Sequence, residues 1–185
     1  MDNISKSAFA PYLQGLETAA GHGLEVKEWT VAGIAAVMAR PDGQDAATQC
    51  LADFATTHGA MVLNIGPAQW LLIAPQGGPA WHDALDCALG GSATHFDQSA
   101  GFGLLALSGS KAGTVLQKGL FVDLDVALAV DGANLASMIA HVPVIACRTA
   151  PDAFLVAVPR SYVGSFWHWL EAAATAEAIK PTARR

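Results

Sequence analysis

The chain has 185 residues, enough for one domain, or one domain built of two halves, with a sizeable core. Apolar residues make up 52% and charged residues only 14%, whereas an ordinary soluble domain is roughly a quarter charged. The net charge of −6 argues against a nucleic-acid-binding protein, and no apolar run approaches the roughly 18 residues of a membrane span. The shortage of charge predicts that a partner covers part of the surface.

The cysteines and the first residues indicate the compartment. Cys50, Cys87 and Cys147 are far apart, and each stands inside an apolar pattern. They are typical of small buried residues in a reducing compartment rather than of a disulfide framework or a metal site. The first residues lack the apolar segment of a signal peptide. Together these features predict a cytoplasmic protein.

The two ends of the chain carry weak patterns. Residues 1–23 contain a short apolar cluster that includes Phe9 and Tyr12. Two interpretations stay open for this segment, a disordered leader or an arm that wraps a partner. Residues 179–185 hold the only basic cluster of the chain and are predicted to be a solvated tail.

The first half of the chain, 24–91, alternates strands and helices. Asp42 is predicted to cap a helix that Gly59 ends, and Pro79 begins a second helix that ends at Gly90. Apolar alternation and short apolar runs predict four strands, at 24–29, 32–39, 60–65 and 70–74.

The second half, 92–178, follows the same order. Ser108 or Ser110 can cap a helix that Gly119 ends, and Ser161 is predicted to cap a last helix that fades after Ala176. Four further strands are predicted, at 94–97, 102–107, 142–147 and 154–158.

The run at 134–140 is ambiguous from its residues alone. Asp131 could cap a short helix there, but the run could equally be a strand.

Both halves contain a proline turn within a hairpin that leads to a helix. The turn at Gly66-Pro67 in the first half corresponds to the turn at Pro151-Asp152 in the second. We therefore predict an α+β fold in which residues 24–178 form a single domain of two similar halves, each a strand pair, a helix, strands and a helix.

No residue pattern in the chain indicates catalysis or a bound cofactor. No two of the six histidines lie within four residues of each other, which makes a metal site improbable. The carboxylates of Asp83 and Asp86 are predicted to lie on the solvated side of a helix. Arg148 and Arg160 bracket the final hairpin, where each can form an internal salt bridge or meet an acidic patch on a partner. The sequence predicts no catalytic, cofactor-binding or metal-binding residue.

The aromatic residues of the last helix supply the candidate partner contacts. Trp167 and Trp169 diverge by about 200° around a helix, so they cannot both face the core fully. At least one of them is predicted to lie on a partner surface. Arg160, Phe9 and Tyr12 complete the set of candidate contacts.

Several motifs in a fixed order resemble those of one family. They are GPAQWLL at 66–72, LSG at 107–109, VLQKGLFVDL at 115–124, CRT at 147–149, FLVAVPRSY at 154–162 and WHWL at 167–170. In this order the chain resembles the gamma subunit of heterotetrameric sarcosine oxidase, over roughly residues 60–170.

The resemblance carries expectations about fold and function. It implies a fold similar to the folate-binding domain of the glycine-cleavage aminomethyltransferase, and it favours a strand at 134–140. It also implies a non-catalytic subunit for assembly and stability, with alpha, beta and delta subunits as partners and alpha as the main contact. FAD, FMN, NAD, zinc and tetrahydrofolate are then expected in the partner subunits and not in this chain. The alternative is a stand-alone folate-binding or one-carbon transfer protein.

Overall fold

The structure, a computed structural model, describes residues 7–14, 16, 23–31, 33–75 and 77–183. The helices are α1 (Ala10–Leu13), α2 (Gln44–His58), α3 (Pro79–Leu89), α4 (Ala112–Gln117), α5 (Leu124–Ala127) and α6 (Val163–Ala176). The strands are β1 (Glu25–Glu28), β2 (Gly33–Ala39), β3 (Met61–Gly66), β4 (Gln69–Ala74), β5 (Ala93–Asp97), β6 (Phe102–Ser108), β7 (Asn134–Ile139), β8 (Val142–Ala150), β9 (Ala153–Pro159) and β10 (Thr182–Ala183). These elements confirm the α+β class and the strand at β7.

The elements group into two compact units. The first unit takes the chain up to Trp29 and again from Phe102 onward, and the second is the continuous stretch Thr30–Gly101. These limits differ from those of the predicted halves, because β1 pairs with β6 and β5 pairs with β2. The duplication of one unit into the other stays a prediction.

The second unit is a four-stranded sheet with two helices. Its strand order is β3-β4-β2-β5, with antiparallel pairing throughout. Alternate residues of the strands point to one face, where α2 and α3 pack. The large side chains of that core are Leu51, Phe54, Trp70, Leu72, Trp81, Leu85 and Leu89.

The first unit is a six-stranded sheet in the order β10-β1-β6-β9-β8-β7. The helices α4 and α6 contribute apolar side chains to a core on one face of this sheet. Its large fully buried side chains include Phe9, Leu24, Phe166 and Trp167. Phe166 and Leu170 pack in this core, whereas Tyr162, at the end of a 3-10 turn that precedes α6, is 44% exposed.

Each unit contains a hairpin that leads directly to a helix. The hairpin β3–β4 precedes α3, and the hairpin β8–β9 precedes α6. In the two turns Ala68 and Asp152 have φ angles of 55° and 57°, and each follows a proline. A proline followed by a residue with positive φ is the pattern of a tight type II turn. The two proline turns are thus similar in backbone conformation as well as in sequence.

The N-terminal segment packs on the rest of its own unit. Phe9 has no exposed surface, and its ring centroid lies 6.5 Å from those of both Phe166 and Trp167. A side chain at Gly103 would collide with Phe9, since an added Cβ would lie 2.9 Å from its ring. Residues 7–14 therefore belong to the core of the first unit, and a disordered leader is wrong for them.

Three of the predicted helix caps are wrong. The residues that precede α2, α4 and α6 are Gly43, Lys111 and Tyr162, and none caps its helix with a side chain. Asp42 has a φ of 63°, which places it in the turn before α2, and Ser161 lies inside the 3-10 turn. The side chain of Asp123 is a true cap, because its carboxylate accepts from the backbone N–H groups of Asp125 and Val126.

The predicted solvated tail is partly ordered. Thr182 is 4% exposed, and its backbone N–H donates to the Leu24 carbonyl oxygen over 3.1 Å. This contact adds β10 beside β1 as a parallel edge strand. The tail prediction is therefore wrong for Thr182 and Ala183, which join the sheet, whereas Arg184 and Arg185 lie outside the described residues.

We expect Trp167→Ala to destabilise the chain by about 3–5 kcal/mol, because truncation of a buried indole leaves a cavity. The neighbouring Ser165 is exposed on the same helix, so Ser165→Ala should change the free energy of unfolding by less than about 0.5 kcal/mol. Urea unfolding followed by tryptophan fluorescence measures both changes. Equal stabilities of the two variants would contradict the burial of Trp167.

A second prediction concerns Glu28, which holds the N-terminal segment. Its carboxylate accepts from the backbone N–H of Ala8 over 2.7 Å, from the N–H of Phe9 over 3.1 Å and from the Ser7 hydroxyl. Glu28→Ala should cost about 1–2 kcal/mol and increase protease cleavage near Phe9. Glu28→Gln keeps an acceptor oxygen, so its stability and its cleavage rate should lie between those of the wild type and those of Glu28→Ala. Cleavage of Glu28→Ala at the wild-type rate would contradict this role.

Candidate partner-binding surface

Two of the five predicted partner contacts are buried inside the first unit. Trp167 is 2% exposed and Phe9 has no exposed surface. Both side chains are covered by residues of their own chain, so neither has surface to offer a partner. The aromatic signal at these positions reflects packing of the N-terminal segment on α6.

The other three predicted contacts are partly exposed. Tyr12 stacks on Trp167 at a centroid distance of 5.9 Å, and Trp169 packs against Phe166 at 5.6 Å. Arg160 is half-buried in the turn before α6 and already has an interaction partner. The structure thus brings Phe9, Tyr12 and Trp167 into one cluster, and a partner role stays a prediction for Tyr12, Trp169 and Arg160.

A different group of apolar side chains is exposed on the first unit. Phe121 is 77% exposed, Val122 38%, Val126 76% and Val130 66%. We call these four residues the 121–130 patch. Isolated exposed apolar residues are normal on protein surfaces, whereas four within ten positions make a candidate interaction surface.

The patch residues alternate along the chain with leucines whose side chains lie in the core of the first unit. Leu120, Leu124 and Leu128 recur every four residues and are at most 7% exposed. Val122, Val126 and Val130 have the same spacing, displaced by two residues, and all three are exposed. The spacing of these valines inside and beyond the VLQKGLFVDL motif was the signal that could have predicted the patch.

Hydrogen bonds fix the backbone that carries the patch. The side-chain oxygen of Gln117 accepts from the Leu124 N–H over 2.7 Å, and its side-chain nitrogen donates to the Val122 carbonyl oxygen over 3.0 Å. The Asp123 cap adds two further hydrogen bonds at the start of α5. The exposed valines therefore stand on an ordered segment.

The margin of the patch is acidic. Asp123, Asp125 and Asp131 are exposed, and the sequence contains no lysine or arginine between Lys118 and Arg148. The Arg148 guanidinium lies 3.6 Å from the Asp131 carboxylate and donates to the Leu128 carbonyl oxygen over 3.1 Å. Arg148 thus has internal partners, as one of its two interpretations predicts.

A histidine pair in the second unit was not predicted. The Nδ1 of His82 and the Nε2 of His95 are 3.1 Å apart, and the rings are nearly parallel. Asp86 lies 2.8 Å from His95, out of line for a hydrogen bond, and Asp97 lies 3.6 Å from His82. The two histidines are on α3 and β5, so their spacing along the chain gave no signal. The ring nitrogens of the two histidines lie opposite each other, so the pair connects α3 to β5.

Hydrogen bonds lower the pKa of Asp97. The side chain and the backbone N–H of Ser99 both contact this carboxylate, the latter over 2.8 Å, and His82 adds a smaller electrostatic effect. These contacts hold the pKa of Asp97 below its usual range.

The cysteines only partly follow their prediction. Cys147 is buried, and burial raises the pKa of its thiol. Cys87 is exposed because it lies on the outer face of α3, so its predicted burial is wrong. In the part of the chain that the structure describes, no group of three or more His, Cys, Asp or Glu side chains could hold a metal ion.

Comparison with protein families identifies the chain. Residues 42–177 match the model of the sarcosine oxidase, gamma subunit family. The chain belongs to this family. The matched range covers the exposed patch, the histidine pair and both hairpins, so the resemblance found in the motifs is confirmed.

Two relatives are each named sarcosine oxidase subunit gamma. The protein of Corynebacterium sp. (strain P-1) is 34% identical over 131 residues, which cover 69% of this chain and 63% of the relative. The protein of Arthrobacter sp. is 36% identical over 127 residues, which cover 68% of this chain and 61% of the relative. The chain thus matches less than two thirds of the length of either relative.

Two solved structures share the fold. Heterotetrameric sarcosine oxidase from Corynebacterium sp. U-96, in complex with pyrrole 2-carboxylate, contains a chain with a TM-score of 0.73 and 24% identity, over 91% of this chain and 92% of that one. Aminomethyltransferase T of the glycine cleavage system from Bartonella henselae gives a TM-score of 0.57 and 13% identity, over 86% of this chain and 48% of that one. The predicted likeness to the aminomethyltransferase fold is confirmed.

None of the described helices is both long enough and apolar enough to cross a membrane.

The contacts of Asp97 predict a pH dependence. A carboxylate with a lowered pKa stabilises the fold above its ordinary pKa, and the stabilisation is lost as the pH falls through the lowered value. We expect Asp97→Asn to cost less than about 1 kcal/mol near neutral pH, because the side chain is 63% exposed. This difference from the wild type should shrink below about pH 4.

Urea unfolding at several pH values measures the effect. The matched control is Asp83→Asn, which removes another exposed carboxylate, on α3. A difference between Asp97→Asn and the wild type that grows in acid would contradict the assigned sign.

Proposed function

We propose that the chain is the gamma subunit of a heterotetrameric sarcosine oxidase and contributes assembly and stability rather than chemistry. Its membership of the gamma subunit family supports the proposal. The observation that carries the assembly role is the 121–130 patch, an ordered and exposed apolar surface on a chain with only 14% charged residues. An exposed apolar surface of this kind is unfavourable in water, and a partner that covers it removes it from the solvent.

The proposal extends to the remaining subunits. The partners are the alpha, beta and delta subunits, and alpha is the main contact. FAD, FMN, NAD, zinc and tetrahydrofolate are bound in these partners, where the oxidation of sarcosine to glycine takes place. The gamma subunit then acts on the reaction only by holding the complex together.

A cavity in the first unit supports a second candidate function, a stand-alone folate-binding or one-carbon transfer protein. The cavity is about 480 Å³ in volume and is lined in part by Lys118, Asp125 and Asp152. A carboxylate can hold a pterin ring and a lysine can hold a glutamate tail. The Lys118 ammonium, however, lies 2.8 Å from the Glu177 carboxylate, which already neutralises it. Titration of the isolated chain with tetrahydrofolate tests this alternative, and no binding would remove it.

Co-expression tests the assembly role. With tagged alpha, beta and delta subunits, we expect the chain to co-elute at one copy per complex. Omission of the chain should reduce the yield and the heat stability of the complex, while the cofactor content per surviving complex stays unchanged.

The isolated chain is the control for co-expression. Without partners it should self-associate or aggregate, because the apolar surface is uncovered. A stable monomer that does not co-elute with the other subunits would contradict the proposal.

A further inference from the structure

We propose that the 121–130 patch docks onto an apolar protein surface edged by lysine and arginine side chains, on another subunit of the complex. This inference rests on the proposed function and specifies the surface and the chemistry of the partner. It follows from the exposure of the patch, its continuity with a sheet edge, its fixed backbone and the sign of its charges.

The patch continues onto the edge strand β7. Leu120 forms an isolated antiparallel bridge with Ile139. The bridge brings the residue before Phe121 to the edge of β7, where Met138 directly precedes Ile139. Met138 is 43% exposed. The apolar surface thus extends from α5 to the outermost strand of the sheet.

The base of the patch is tightly packed. An added Cβ at Gly119 would lie 2.6 Å from both Ile139 and Trp169, so the chain approaches these side chains as closely as glycine allows. Trp169, one of the predicted partner contacts, therefore packs against the backbone two residues before the patch. Docking onto an ordered backbone costs little conformational entropy, and three of the four patch residues are valines with few rotamers.

The charges at the margin select the partner. Asp123 and Asp125 are exposed beside the apolar residues, and Lys118, which lines the same cavity as Asp125, is already paired with Glu177. A second copy of this chain would bring like charges together, which is unfavourable. A surface edged with lysine and arginine is electrostatically complementary and also accelerates association.

The other exposed large apolar residues of the described chain form smaller groups. Trp29 and Tyr162 stand singly in their segments. Met38 and Phe96 lie on the neighbouring strands β2 and β5 and make a pair. The 121–130 patch with Met138 is larger than either.

Two variants separate the apolar and the charged contributions. The double variant Phe121→Ser with Val126→Ser removes the two most exposed apolar side chains, and Asp125→Lys reverses one marginal charge. Because all three residues are exposed, the thermal unfolding of the isolated variants should match that of the wild type. The matched controls are Met38→Ser and Asp83→Lys, which make the same kinds of change on the second unit.

The measurement is the dissociation constant between the chain and the complex of tagged alpha, beta and delta subunits, at low and high salt. We expect at least about a tenfold loss of affinity for the double variant. Asp125→Lys should weaken binding at low salt and lose that effect at high salt. The controls should bind as the wild type does.

The outcomes distinguish this inference from the proposed function. Wild-type association with unchanged binding of the double variant would overturn the docking surface and leave the gamma-subunit role standing. Tighter binding of Asp125→Lys would overturn the basic partner surface. A two-copy association of the wild type that persists in the presence of the other subunits, and that the double variant abolishes, would assign the patch to a second copy instead. Failure of the wild type to bind the other subunits would contradict both proposals.

Discussion

The insertion of Phe9 between the first sheet and α6 is the contact on which much of the first unit depends. It brings the N-terminal segment over Gly103, where only a glycine leaves room for the ring, and onto Trp167. The same segment is tied to β1 through the Glu28 carboxylate, so Phe9 and β1 are held together. Residues distant in sequence thus form one core, and most of the aromatic surface of α6 is used in making it.

Because those aromatic residues pack inside the first unit, they leave a different surface for a partner. Phe166 and Trp167 pack internally, whereas the aliphatic residues around α5 are exposed. Aromatic residues are enriched in protein interfaces, but they are equally common in cores. Exposure distinguishes the two uses, and among the described residues the acidic, valine-rich segment after α4 holds four of the exposed large apolar side chains.

Local patterns in the sequence predicted most elements but not their arrangement. Apolar alternation and short apolar runs located eight of the ten described strands but left β7 open between helix and strand. Gly59 and Gly90 end their helices with positive φ angles as expected. Which strand pairs with which is decided by contacts distant in sequence, so the pairing of β1 with β6 had no local signal. The same reason explains the histidine pair, whose members lie on different elements, and the burial of Trp167, which required the position of Phe9.

The interleaving of the two units constrains the order in which the chain can fold during synthesis. Thr30–Gly101 is continuous, so all of its internal contacts are available as soon as Gly101 has left the ribosome. The strand β1 is made earlier but must wait for β6, and its outer edge is covered only when Thr182 is synthesised. Before those later residues are synthesised, the core against which Phe9 and β1 pack does not yet exist. The second unit is therefore expected to fold first, and a chain shortened at its C-terminus would leave the edge of β1 open to pairing with other chains.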